Sequence, residues 1–309
     1  MLNLEDVEKI YNKLKNTEGG KNASYIPELA KVNPNLYAIS IYTVNGEEFN
    51  IGDYKKEFAI ESCSKVFSLA LALETHGIEH VKNKIGTEES ADAFNSLSAI
   101  EKSKIHTMNS FYNGGAMATT SLMYEKDKKK FENKILNNMS NFAGRKLKIN
   151  TSIYKSEMSN IEHNLSIAYL LKSYNRFYGD VPTTVDVYTR QCSTLVTSKD
   201  VAIMAATLAN QGVNPKTNKY VIDKKFIPYI LTHMSANGLY EESEEWMTEV
   251  GLPAKSGVGG VLCIVVPGVM GIGIISPPLN KAGNSYKGIK TAKLLAKKMK
   301  YNLYFRNCK

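Results

Sequence analysis

Residues 3 to 16 place Leu4, Val7, Ile10, Tyr11 and Leu14 on one stripe of a 3.6-residue period, which predicts an N-terminal amphipathic helix. The period then changes. Leu36 to Val44 (LYAISIYTV) is rich in β-branched and aromatic residues, Asn45-Gly46 is a strong hairpin turn signal, and Glu47 to Ile51 returns, so a strand, a turn and a second strand are expected. From about 62 to 235 helical stretches alternate with polar loops, Leu165 to Leu171 and Val201 to Leu208 among them. Further on, Gly257 to Val266, Pro267-Gly268 and Val269 to Ile275 read as buried strands joined by a turn, ahead of a basic helix from about 286 to 300.

Strands at both ends of the chain suggest a mixed α/β (α+β) fold. One antiparallel sheet would be assembled from N- and C-terminal strands, flanked by the terminal helices, with a long and largely helical insertion between them. The expectation is a single domain over 1–309 in two parts: residues 1–61 plus 236–309 form the sheet with its helices, and 62–235 form the helical part.

Composition narrows the functional classes. At 309 residues and 43% apolar content the chain can bury a large core. The longest apolar stretch, Val258 to Ile275, is broken by Gly and Pro and falls short of the ~20 residues that span a bilayer, so no membrane association is expected. The opening MLNLEDVEKIYNK carries acids and lysines at helical spacing and no export signal, which points to the cytoplasm. The formal charge of +9 is dispersed, with the clusters Lys128 to Lys130 and Lys293 to Lys300 reading as solvated faces, so nucleic acid is not an expected partner. Cys63, Cys192, Cys263 and Cys308 lie far apart with no CxxC pair, which fits free thiols better than disulfides or a metal site.

Candidate chemistry starts from Ser-x-x-Lys, which on a helix puts a hydroxyl and an amine on one face, one turn apart. The amine can take the hydroxyl proton when it is neutral, and burial lowers an ammonium pKa. The pattern occurs twice, at Ser62/Lys65 and Ser152/Lys155. Ser62 follows the apolar Phe58-Ala59-Ile60 and opens the core-like run Val66, Phe67, Leu69, Ala70, Leu71, whereas Ser152 sits beside a lysine- and asparagine-rich stretch. Alone, Ser62 reads more simply as a helix N-cap. Lys255-Ser256-Gly257, the only Lys-[Ser/Thr]-Gly in the chain, changes that, because Ser-x-x-Lys followed by Lys-[Ser/Thr]-Gly is the motif order of penicillin-binding proteins and β-lactamases.

Longer stretches carry a more specific resemblance. SYIPELAKVNP (24–34), ESCSKVFSLALALE (61–74), NGGAMATTSL (113–122), SEMSNIEHNLSIAYLLK (156–172), YTRQCS (188–193) and GLPAKSGVGGVLCIVVPGVMGIGIISPPLNKAGNSYKG (251–288) resemble the serine-dependent glutaminase family, of β-lactamase/transpeptidase-like fold. The resemblance implies hydrolysis of L-glutamine to L-glutamate and ammonia. Ser62 falls on the family's nucleophile, Lys65 on its base, Tyr240 on its proton-relay tyrosine, and Val258 on the residue whose backbone N–H joins that of Ser62 as an oxyanion hole. Glu157 falls on the glutamate that binds the substrate ammonium, and Tyr25, Asn113, Asn164 and Tyr188 on the other substrate-binding positions. No cofactor or metal is implied, and the relatives are dimers or tetramers.

The chain departs from the family pattern in three places. Asn113-Gly114-Gly115-Ala116 stands for the usual Asn-Ala-Gly-Ala and is expected to add backbone freedom, Ser110 replaces a proline, and His163 replaces an arginine before Asn164. Ser173-Tyr174-Asn175 fits the Ser-x-Asn of penicillin-interacting enzymes, and Gly271-Ile272-Gly273 resembles part of a dinucleotide loop; both are set aside on context, as are the five histidines, which lack HExxH spacing. The competing functions are a penicillin-interacting serine hydrolase, an asparaginase-like amidase and a catalytically silent binding protein on the same fold.

Overall fold

The computed structural model describes residues 4–89 and 95–304. Cys308 lies outside the described residues. The N-terminal stripe forms the helix Leu4–Leu14, with Val7, Ile10 and Leu14 buried, Glu5 and Asp6 in its first turn and Lys13 in its last, a charge order that suits the helix dipole. Leu4, expected on the buried stripe, is exposed.

Among the described residues eight strands follow: β1 (Ala38–Thr43), β2 (Glu48–Gly52), β3 (Phe58–Ala59), β4 (Lys148–Ile149), β5 (Thr194–Val196), β6 (Ala254–Gly257), β7 (Val261–Val266) and β8 (Met270–Ile275). The main sheet has the order β2-β1-β8-β7-β6 and is antiparallel throughout, so strands from the two ends of the chain do share one sheet. The expected hairpin is the β1–β2 pair, running from Ala38↔Gly52 to Tyr42↔Glu48. A second small sheet, β3-β5-β4, has no counterpart in the sequence reading, because strands of two or three residues carry no period to detect.

The expected single strand from Gly257 to Val266 is instead two. The chain leaves β6 at Gly257, turns through Val258-Gly259-Gly260 and returns as β7 in register with it. Gly260 adopts φ +85°, and its N–H donates to the Gly257 carbonyl at 2.9 Å, closing the turn in a conformation a side chain would strain. Val258 thereby stands at the end of an edge strand and not within one.

Both faces of the main sheet are covered. On one face Ile39, Ile41, Leu262, Ile264, Ile272 and Ile274 pack with Val7 and Ile10 of the first helix and with Ala292 and Leu295 of the last, Tyr286–Met299. On the other lies the helix Ser198–Ala209, opened by a Thr197/Asp200 capping box. Its backbone meets the strand directly: a Cβ on Gly271 would stand 2.1 Å from the Ala202 carbonyl oxygen, and one on Gly273 2.1 Å from that of Ser198. The Gly-Ile-Gly spacing therefore serves helix-on-sheet contact. Double coverage also explains why β7 and β8 are buried at every position instead of alternating.

The helical part holds its own core around the helices Ser64–His76, Asn113–Ser121, Lys128–Ala143 and Val181–Cys192, with Phe67, Phe131 and Phe142 at its centre. No described helix is long and apolar enough to cross a membrane.

Candidate active site

Ser62 was expected to begin a helix. The structure puts it in a 3₁₀ turn, Glu61–Cys63, and starts the α-helix two residues later at Ser64–His76. The cause is local: Glu61 has φ +49°, a left-handed conformation that breaks helical continuity and costs on the order of 1–3 kcal/mol, a kind of strain that gathers at functional sites. Ser62 remains half-buried while Glu61, Cys63, Ser64 and Lys65 around it are buried. The hydroxyl can be reached, and its surroundings are dry.

Lys65 is 1% exposed, and its Nζ donates to the Phe111 carbonyl at 3.0 Å and to Asn113 Oδ1 at 2.6 Å, with no carboxylate as ion-pair partner among the described residues. Burial, and then repulsion from Lys255, lower its pKa to about 7, so a substantial fraction is a neutral amine near neutral pH. Lys255 is also fully buried. Its Nζ donates to the Gly238 and Ser256 carbonyls at 3.1 and 2.7 Å and lies 4.5 Å from the centroid of the Tyr240 ring, and burial lowers its pKa to about 8.

Tyr240 opens the 3₁₀ turn Tyr240–Glu242 that follows the helix Ile227–Asn237, and it too is left-handed, at φ +54°. Its hydroxyl is hydrogen-bonded with the Ser62 side chain and donates to the Ser256 carbonyl at 3.3 Å; burial pushes the phenol well above its ordinary pKa. The end of β6 lies against the Ser62 turn, since a Cβ on Gly257 would stand 2.7 Å from the Ile60 carbonyl oxygen and 3.4 Å from Cys63 N. Neither the Ser62 nor the Val258 backbone N–H reaches an acceptor among the described residues.

A second group forms across the helices Thr151–Met158 and Val181–Cys192. Carboxyl oxygens of Glu61 and Glu157 and Sγ of Cys192 lie within 4.8 Å of one another. Glu157 Oε1 accepts from Ser193 Oγ at 2.8 Å, while Glu61 Oε1 is buried without a hydrogen-bond partner among the described residues. Burial raises both carboxyl pKa values, and for Glu61 the Glu157 charge adds to it. Cys192 is the softest potential ligand of this trio, yet burial and the two acids keep its thiol protonated, the form that ligates poorly.

Tyr188, 4% exposed, hydrogen-bonds with Cys192 and is raised by burial. Tyr25 has 58% of its surface exposed, but its phenol is raised first by burial of the hydroxyl end and then by Glu61 and Glu157. Tyr25 and Val258 also line a cavity of about 680 Å³ beside Leu279 and Gly283. Asn164 is half-buried on the helix Glu162–Ser173.

Some expectations change. Gly114, the position that departs from the family pattern, sits inside a helix with no positive φ, and a Cβ there would stand 3.1 Å from Ile100 Cδ1 and 3.3 Å from Ile167 Cγ2, so it serves close packing and not backbone freedom. Ser152 and Lys155 are exposed on a helix capped by Asn150. His163 reaches the Asn95 carbonyl at 2.8 Å. Glu61 and Ser193 were not singled out from sequence, nor was Lys255 as a group acting on Lys65. The available signal for Glu61 was one acid set between Phe58-Ala59-Ile60 and Ser62-Cys63, in an otherwise uncharged run.

Comparison with known proteins follows the same line. The sequence profile of the glutaminase family matches residues 20–304. A glutaminase of Colwellia psychrerythraea is 44% identical over 294 residues, 95% of this chain and 94% of that protein. Among solved structures, a probable glutaminase YbaS superposes with a TM-score of 0.95 at 42% identity, covering 97% of both chains. A probable glutaminase from Bacillus subtilis, solved with 6-diazo-5-oxo-L-norleucine, gives 0.86 at 28% identity over 97% of this chain and 95% of that one. The fold is thus the β-lactamase-like one that the sequence resemblance implied. On sequence profile, identity and superposed structure together, the chain belongs to the glutaminase family.

Proposed function

We propose that the chain hydrolyses L-glutamine to L-glutamate and ammonia through an acyl-enzyme on Ser62, with Lys65 as the base. The observation that carries this reading is a lysine buried with no ion-pair partner among the described residues, one turn from an accessible serine whose hydroxyl is bonded to Tyr240. Ser62 Oγ attacks the γ-carboxamide carbon as Lys65 Nζ takes the hydroxyl proton. The tetrahedral oxyanion is received by the free N–H groups of Ser62 and Val258. Tyr240, lying between Ser62 and the cation of Lys255, relays a proton to the departing nitrogen, and ammonia leaves. Water then cleaves the glutamyl ester by the same groups in reverse roles.

Substrate recognition divides by charge. Glu157 binds the α-ammonium, while Tyr25, Asn113, Asn164 and Tyr188 supply neutral donors for the α-carboxylate. Asn113 supports this division, since its Oδ1 is taken by Lys65 and its amide NH₂ is left to donate. The Bacillus subtilis relative was solved with 6-diazo-5-oxo-L-norleucine, itself an α-amino acid. Glu157→Gln is expected to raise KM for glutamine about tenfold or more, from the loss of one charged contact worth roughly 1.5–3 kcal/mol, with a smaller effect on kcat. Steady-state kinetics of ammonia release reads this directly, and an unchanged KM would remove Glu157 from the ammonium site.

The site lies where the sheet part, 1–61 plus 236–309, meets the helical part, 62–235, within one catalytic domain. The three described cysteines are free and buried, in keeping with a reducing cytoplasm. Assembly as a homodimer or homotetramer rests on the family resemblance. The test of function is ammonia release from glutamine and from asparagine, beside nitrocefin turnover. Glutamine should be the preferred substrate by at least about tenfold over asparagine, a methylene shorter. Nitrocefin turnover without ammonia release would transfer the chain to the penicillin-interacting enzymes.

A further inference from the structure

The left-handed turn at Tyr240 is held from outside by a clamp that lies away from Ser62. Glu242, two residues on, accepts from Asn280 Nδ2 with both carboxylate oxygens, at 2.9 and 2.8 Å, and from Asn284 Nδ2 with Oε2 at 2.7 Å. Both asparagines belong to the loop that joins β8 to the last helix. Asn284 is fully buried, and the same Nδ2 donates to the Leu239 carbonyl at 3.0 Å, so one amide bridges the residues on either side of Tyr240. Asn280 Oδ1 in turn accepts the Ala282 and Asn284 backbone N–H groups at 3.1 and 3.0 Å, which fixes the loop on itself.

The clamp has two consequences for the site. It ties the loop to the Tyr240 turn, so that a Cβ on Gly283 would stand 3.7 Å from the Tyr240 ring, and that loop forms one wall of the cavity that Tyr25 and Val258 line. It also lies where backbone strain has to be offset. A tyrosine at φ +54° relaxes toward an ordinary conformation unless its neighbours prevent it, and relaxation swings the ring away from its direction. Ser243 helps from the helix side, its Oγ accepting from Leu239 N–H and donating to the Tyr240 carbonyl. Glu242 connects the turn to a separate segment of chain through charge-assisted bonds.

We infer that Glu242 is a positioning residue for Tyr240: by gripping Asn280 and Asn284 it locks the strained turn that aims the phenol at Ser62. The inference rests on the proposed role of Tyr240. A misplacement of about 1 Å in a relay group can cost on the order of 100-fold in rate, so Glu242→Gln, which sets an amide NH₂ against donor amides, should lower kcat for glutamine about tenfold or more. Asn280→Ala, made on the partly exposed side of the clamp, should act in the same direction. The decisive readout is a double-mutant cycle with Tyr240→Phe. Once the phenol hydroxyl is absent there is nothing left to aim, so Glu242→Gln in the Tyr240→Phe background should change kcat by less than about twofold.

Each outcome decides something separate. Full activity of Tyr240→Phe would remove Tyr240 from the mechanism and the clamp's role with it. A large loss in Tyr240→Phe combined with an additive loss from Glu242→Gln would leave Tyr240 in place and overturn the clamp. If Glu242→Gln does not fold, which a thermal melt reports, Asn280→Ala carries the same cycle with the same two outcomes.

Discussion

Ser62→Ala is expected to lower kcat for ammonia release by about 10³- to 10⁶-fold, the range seen when the nucleophile of an acyl-transfer enzyme is removed. The size follows from the route and not from the strength of any contact. Without the hydroxyl no acyl-enzyme forms, and the remaining groups, two free N–H donors and a neutral amine, are left to act on a water that the turn does not position. The fold should be unaffected, because the side chain is half-buried and its hydroxyl bond with Tyr240 is worth about 1 kcal/mol. The measurement is a coupled ammonia assay together with a thermal melt and calorimetric titration of glutamine. A variant that melts normally and binds glutamine but has lost turnover supports Ser62 as nucleophile. Retained turnover in a correctly folded variant would sink the acyl-enzyme.

Lys65→Met should cost about 10²- to 10⁴-fold in kcat/KM, the usual share of a positioned general base, and should also change the pH profile. The sign follows from burial. Desolvation disfavours the ammonium and Lys255 repels it, so the pKa falls to about 7, and the fraction present as the base increases as pH rises through that value. Wild-type kcat/KM is therefore expected to climb with pH on its acid side, with a midpoint near 7, and the Lys65→Met variant should lose that limb along with its rate. Lys65→Arg should fail to restore activity, since a guanidinium stays protonated throughout. An acid limb unchanged in Lys65→Met would assign it to another group, Glu157 being the nearest candidate because its carboxyl is also raised by burial.

Much of the architecture was open to a reader of the sequence. The amphipathic stripe at 4–14, the hairpin around Asn45-Gly46 and the apolar strands before the basic helix are local patterns, and local patterns survive folding. What they could not convey was a break forced by one residue's backbone. The strand expected over 257–266 is split by a turn with Gly260 at φ +85°, and the helix expected to start at Ser62 is delayed by Glu61 at φ +49°. Gly114 differs for the opposite reason: an extra glycine reads as freedom, and side chains of Ile100, Ile167 and Leu171 at 3.1 to 3.3 Å from its missing Cβ make it a contact.

The site divides along the same line. Ser62 with Lys65 one turn on, the motif order ending in Lys255-Ser256-Gly257, and the family resemblance are written in the chain, because spacing along a helix and order along a sequence need no third dimension. The state of those groups is not written there. Lys65 is held well below an ordinary lysine pKa because it is buried in a dry pocket and because Lys255, 190 residues later, repels its charge. Glu61 is raised by the Glu157 charge only where two helices and a 3₁₀ turn converge, and the turn after Tyr240 meets the 280–284 loop through Glu242. Residue identity and periodicity were enough for the elements and the motif, since both act within a few residues; protonation and aim depend on burial and on neighbours distant in sequence, which exist only once the chain has folded.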